Sequence, residues 1–333
     1  MRLRYYITIC TAAVAMCVCA TSCSSGSGKS SDDSTKPEQK APGGPQLGQP
    51  GRGPVYDKSG DSTLQAMIKE IVPKFRQMKY KDERTGKIMH YNLYTPEVLE
   101  KGKKYPLVLF IADASTPGPD VKAPLTQGYG ALVWATSASQ KKNPCYVLVP
   151  QFEGVAVNDA YQHSTEAEIA MRLLKTVAAD NQVDQKRLYA TGQSMGGMIS
   201  MYYNVAYPEV FAASIFVDSH WNQDQLDELA QHKFVWFLSG DKSKAYKELE
   251  AMENACRKDS VQFTFAEWSA RLPESTQSET AAVMLEKGAP VNIFMFEPGT
   301  VLPSDGQGSE HVYSFDYAFK VQSVRDWLFT QSK

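Results

Sequence analysis

Six short apolar runs constrain this chain more than any other feature. They are "PLVLFIA" (106–112), "CYVLVP" (145–150), "RLYAT" (187–191), "AASIFV" (212–217), "FVWFLS" (234–239) and "VNIFMFE" (291–297). Each is continuously apolar rather than alternating, which suits strands covered on both faces. Segments of helical spacing separate them. Strand alternating with helix in this way implies an α/β fold, a mostly parallel central sheet with helices on both faces. Leu64 to Met78 places Leu64, Met67, Ile68, Ile71, Val72 and Phe75 on one helical face. Thr165-x-x-Glu168 reads as a capping box ahead of Ile169, Leu173, Leu174 and Val177. "KYKDERTGKIMHYNLYTP" alternates around Thr85-Gly86 and predicts a hairpin. A further helix is expected after Ser194, stopping before Pro208.

The N-terminus has a different character. Arg2 and Arg4 precede an uncharged, mostly apolar stretch from Tyr5 to Ala20, which ends in Ala20-Thr21-Ser22-Cys23. That length suits a secretory signal better than a membrane span. The small residues before Cys23 resemble a bacterial lipobox, with Ala20 where leucine is usual. Residues 1–22 are therefore expected to be a lipoprotein signal peptide and Cys23 the lipidated residue; ordinary secretory cleavage after Ser22 is the alternative. Residues 23–60 are rich in Ser, Gly and Pro, too polar to bury a core, and predict a tether. Residues 61–333 form the working domain. The expected location is extracytoplasmic, lipid-anchored to a bacterial membrane at the outer membrane or cell surface. Cys145 and Cys256 then remain as two separate thiols. A net charge of -2 gives no reason to expect nucleic acid as a partner. No metal-ligand spacing is present, and neither a metal nor a cofactor is expected.

The central signal is "ATGQSMGGM", residues 190–198. G-x-S-x-G alone is a weak motif, but here a strand precedes it and a helix follows. That context predicts Ser194 as a nucleophile exposed on a sharp turn, with the backbone N–H of Met195 aimed at a developing oxyanion. A serine hydroxyl needs a base, and the base needs an orienting carboxylate. Where such a turn carries a triad, acid and base follow the serine in that order. His311 lies beyond the last apolar run and ahead of a predicted terminal helix, Ser314 to Gln331, so it is the expected loop-borne base, with His220 second. For the acid, Asp241 after "FVWFLS" is preferred to Asp218 after "AASIFV". Gln193, Asp218, His220 and Trp221 are then expected to line the substrate pocket. The second oxyanion donor is expected from the loop after "PLVLFIA", at the backbone N–H of Ala112 or Asp113.

"LYATGQSMGGM", "YPLVLF", "CYVLVPQ" and the terminal "HVYSFDYAFKVQSVRDWLFTQ" resemble the polyhydroxybutyrate-depolymerase and prolyl-oligopeptidase-like branch of the α/β-hydrolases, which includes carboxylesterases and feruloyl-type esterases. The resemblance covers roughly residues 80–333. It implies the α/β-hydrolase fold, a triad of Ser194, Asp241 and His311, and a small-molecule or glycan-linked ester as substrate. A serine peptidase and a non-catalytic binding protein on the same scaffold are the alternatives. Two features depart from the branch. Ala112-Asp113 stands where His-Gly is usual, and Asp113 either opposes the oxyanion or, as preferred, turns away and caps its own loop. The segment between Asp241 and the last strand is long; it predicts helices at 243–258 and 275–287, with "VQFTFAEW" between them as a partial lid.

The expected anchor has a direct consequence. The mature protein should partition into detergent with membranes, and Cys23→Ser should release or mislocalise it, because membrane anchoring depends on the acyl chains at that residue. Mass spectrometry of the mature N-terminus checks this; an unmodified Cys23 overturns it.

Overall fold

Every strand of the sheet interior faces two cores at once. The structure is a computed structural model that describes residues 5–7, 46–51, 57–239, 242–304 and 306–333, with 5–7, 242 and 243 described by backbone alone. Its strands are β1 (Tyr5–Ile7), β2 (Arg76–Lys81), β3 (Ile88–Tyr94), β4 (Tyr105–Ile111), β5 (Tyr146–Gln151), β6 (Val183–Gln193), β7 (Ala213–Val217), β8 (Phe234–Leu238), β9 (Phe263–Trp268) and β10 (Val291–Phe296). They form one sheet in the order β1-β9-β10-β8-β7-β6-β4-β5-β3-β2. The run from β5 through β4, β6, β7, β8 and β10 to β9 is parallel; β2, β3 and β1 join antiparallel at the two ends. In β4, Leu107, Leu109 and Ile111 pack into one apolar layer and Val108 and Phe110 into the other. Side chains alternate across the sheet, so a strand between two cores must be apolar at every position.

One layer is closed by the helices Thr165–Asp180, Met195–Ala206 and Lys242–Lys258, the other by Ser62–Ile71, Glu274–Leu285, Glu310–Lys320 and Gln322–Thr330. Cys145 and Cys256 are separate buried thiols, and burial pushes each up to about 12. The predicted hairpin is β2–β3. Asp82 secures its turn, accepting Thr85 N at 2.9 Å and a forked pair from Arg172 at 2.6 and 3.0 Å. Those bonds, the Arg172 pair foremost, hold the Asp82 carboxyl at about 2 and tie the hairpin to the helix Thr165–Asp180.

Several expectations change in the structure. The first helix ends at Ile71, with a 3-10 turn over Val72–Lys74, because Pro73 lacks an N–H and its ring crowds the carbonyl four residues back. The cap of the helix Thr165–Asp180 is Ser164, whose Oγ accepts Glu166 N at 3.2 Å; Glu168 instead accepts the hydroxyls of Tyr202 and Tyr207. The terminal helix is two helices broken at Val321. Part of the expected tether is docked: Gly48 N donates to Val155 O at 3.0 Å, Gly51 N to Pro117 O at 2.9 Å, and Lys58 pairs with Asp316 at 2.6 Å. β1 lies within the segment expected to be a signal peptide; in that reading the mature sheet ends at β9.

"VQFTFAEW" is not a lid. It is β9, paired with β10 from Phe263↔Val291 to Trp268↔Phe296. Its aromatic side chains face inward on both sides of the sheet, so the sheet edge buries them where a lid would expose them. Trp268 is 1% exposed, donates Nε1–H to Gln277 at 3.1 Å, and packs against Phe237, Phe294 and Phe296. Trp268→Ala should therefore destabilise the protein by about 3–5 kcal/mol in urea unfolding. A lid would give altered KM with unchanged stability.

Candidate active site

The loops leaving β4 and β6 diverge, because the chain goes from β4 to β5 on one side and from β6 to β7 on the other. Such a switch opens a crevice at the carboxyl end of the sheet. Ser194 stands there, between β6 and the helix Met195–Ala206, with φ 50° and ψ −120°. A non-glycine residue is uncommon at positive φ. The turn is held by Ser194 N donating to Val217 O at 2.9 Å. Its glycines are required by contact: a Cβ on Gly196 would lie 1.9 Å from Ile111 O, and one on Gly192 would lie 2.4 Å from Gly196 C. The G-x-S-x-G spacing thus lets three stretches of backbone meet with no side chain between them.

His311 Nε2 lies 2.9 Å from Ser194 Oγ, and its Nδ1 lies 3.0 Å from Asp218 Oδ2. His311 is not loop-borne. It occupies the first turn of the helix Glu310–Lys320 and packs edge-on to Phe315, centroids 5.0 Å apart. Asp218 is held from several directions. Ser239 donates its N–H to Oδ1 at 3.2 Å and its hydroxyl to Oδ2 at 2.6 Å, and Ser314 Oγ lies 3.1 Å from Oδ2. Asp218 also has positive φ, 45°. Asp241, expected as the acid, lies outside the described residues; the carboxylate that meets Nδ1 is that of Asp218, expected only in the pocket wall. Register explains this. Gln193 pairs with Val217, so the next residues of the two strands, Ser194 and Asp218, emerge side by side.

The family described as "Putative esterase" matches residues 83–266, more than half of the chain. The chain belongs to this esterase family. No curated protein matches it. Among solved structures, it is similar to a thermostable esterase at 22% identity with a TM-score of 0.63, over 79% of this chain and 64% of that one. It is also similar to a mutant of the feruloyl esterase module from Clostridium thermocellum complexed with sinapinate, at 13% identity with a TM-score of 0.51, over 84% and 94% of the two chains. These likenesses show the α/β-hydrolase fold.

A cavity of about 490 Å³ opens over Ser194 and His311. Met195 lines it. Of the loop after β4, Ala114 lines it, whereas Ala112 and Asp113 do not. Ala112, expected with Asp113 as a donor, is 2% exposed and packed into the core. Asp113 turns away: Oδ1 accepts Ser115 N at 2.8 Å and Ser115 Oγ at 2.5 Å, and Oδ2 accepts Gln193 Nε2 at 2.9 Å. Gln193 is consequently a buried brace behind the serine turn and not a pocket residue. His220 does line the cavity, 3.8 Å from Asp159; burial, then Lys244, pushes it below the ordinary histidine range. Trp221 is buried beneath that wall, donating to Gln225 at 2.8 Å. Ser239 and Ser314, the partners of Asp218, were not legible as site residues. Ser239 at the carboxyl end of β8 stood in the right place, but nothing in its local sequence marks it. Among the described residues no cluster of His, Cys, Asp or Glu could hold a metal ion.

The bonds of Asp113 predict its mutant. Asp113→Ala leaves Gln193 and Ser115 without their acceptor, and should lower stability by about 1–3 kcal/mol together with kcat. A melting curve and steady-state kinetics check this. A faster enzyme with unchanged Tm would mean that the Asp113 charge opposes the oxyanion.

Proposed function

We propose that this esterase cleaves carboxylic esters through Ser194, His311 and Asp218, by way of an acyl-enzyme. The observation that carries the reading is the imidazole of His311 lying within hydrogen-bond reach of both Ser194 Oγ and Asp218. In the first half-reaction Nε2 takes the hydroxyl proton as Oγ attacks the ester carbonyl. The resulting oxyanion lies at the N-terminus of the helix Met195–Ala206, where backbone N–H groups have no intrahelical acceptor. The Met195 and Ala114 N–H groups are its proposed donors. Asp218 keeps Nδ1 protonated and stabilises the imidazolium. The proton then passes to the departing alcohol, and water repeats the cycle on the acyl-enzyme.

The proposed substrates are acyl groups on hydroxylated alcohols such as glycans. The polar rim of Asp159, His220, Lys244 and Glu310 supports an alcohol rich in hydroxyls. An anchor at Cys23 would hold the enzyme outside the cytoplasm beside polymeric substrates. The engagement of Asp113 by Ser115 and Gln193 removes the one feature that favoured a non-catalytic scaffold.

Ser194→Ala and His311→Ala should each reduce hydrolysis of p-nitrophenyl butyrate by about 10⁶, and Ser194→Ala should abolish fluorophosphonate labelling. Asp218→Asn should lower kcat by about 10⁴, with Asp241→Asn far milder. The reverse order in the two Asp variants would return the acid to Asp241; labelling that survives Ser194→Ala would overturn the nucleophile.

A further inference from the structure

One wall of the cavity carries a group that the hydrolytic steps do not use. Glu248 lies on the helix Lys242–Lys258, and Lys244, Ala245 and Glu248 share the helix face that lines the cavity. The Glu248 Oε2 atom is withdrawn from solvent and has no hydrogen-bond partner. The neighbouring lining is apolar: Met198 is 4% exposed, Leu238 3% and Ala245 4%. Burial pushes the carboxyl above its ordinary range, and Lys244 opposes this only in part. A stranded acceptor in an apolar wall is costly, and the fold gains nothing visible from it. Such groups are retained where a ligand completes them.

We infer that Glu248 forms a subsite for a hydroxyl group of the substrate, carried on either the acyl or the alcohol portion of the ester. The inference rests on the esterase reading above and deepens it. A hydroxyl supplies the missing donor at Oε2 without adding charge. A cation fits less well, because Lys244 lines the same cavity on the adjoining turn and repels it. The volume, about 490 Å³, leaves room for a chain running from Ser194 to Glu248. An ester lacking the hydroxyl would desolvate the carboxylate and leave it unpaired, and this is the condition under which a site discriminates strongly.

The test compares two matched pairs, ethyl 6-hydroxyhexanoate with ethyl hexanoate and 4-hydroxybutyl butyrate with butyl butyrate, alongside butyrylcholine as a cation and p-nitrophenyl butyrate as reference. Wild type should favour the hydroxylated member of one pair by about tenfold or more in kcat/KM, and the responding pair tells which portion reaches Glu248. Glu248→Gln, which keeps a carbonyl acceptor, should retain the preference. Glu248→Leu should bring the ratio near one and raise Tm, since it removes a stranded polar group; a merely structural glutamate would lower Tm instead. Equal rates within both pairs in wild type, a preference that survives in Glu248→Leu, or preference for butyrylcholine each overturns the inference. If wild type cleaves none of these esters, p-nitrophenyl butyrate included, the esterase reading fails and the subsite falls with it.

Discussion

The molecule depends on a place where backbone touches backbone. The helix Met195–Ala206 begins so close to the end of β4 that Gly196 has no room for a methyl group beside Ile111 O, and Gly192 has none beside Gly196. Because the chain must turn from strand to helix within that space, Ser194 takes a left-handed conformation that a side chain rarely accepts. The surrounding sheet holds it there, with Val217 O accepting its N–H. The same turn aims the start of the helix, with its unpaired N–H groups, at the cavity.

The rest of the constellation is assembled outward from that turn. β7 runs in register with β6, so Asp218 follows Val217 as Ser194 follows Gln193. β8 adds Ser239, which fixes the Asp218 carboxylate with both its N–H and its hydroxyl. The helix Glu310–Lys320 then lowers His311 between the two, and its own Ser314 reaches Asp218 as well. Behind the turn, Gln193 and Asp113 join the ends of β6 and β4. The atypical aspartate is thereby a strut between two strands and faces away from the reaction centre.

The long segment between β8 and β10 has two uses. Its middle becomes β9 and widens the sheet with aromatic side chains buried on both faces. Its first helix forms a cavity wall and brings Glu248 there with Oε2 unpartnered. One insertion thus contributes stability at the sheet edge and withholds some of it at the cavity. Sites built to bind commonly hold polar groups that the folded protein alone leaves unsatisfied.

The sequence by itself determined the layers, the serine turn and the histidine. Continuous apolar runs leave no choice but a sheet covered on both faces, and G-x-S-x-G between strand and helix reports a local steric need. Ser194 and His311, both legible in this way, lie in contact. What only the tertiary structure decided was direction. Asp218 and Asp241 both follow apolar strands; strand register brings Asp218 to His311, and register is a property of pairing that neither residue's neighbours encode. "VQFTFAEW" has the composition of either a lid or an edge strand, and the free edge of β10 decided for the strand. Trp221 turned inward against Tyr161 and Tyr202, and Gln193 turned toward Asp113, because these partners lie far away in the chain. Glu248 carried no signal at all, since an acidic residue in an amphipathic helix is ordinary until the fold shows that its oxygen faces a cavity with nothing to bond.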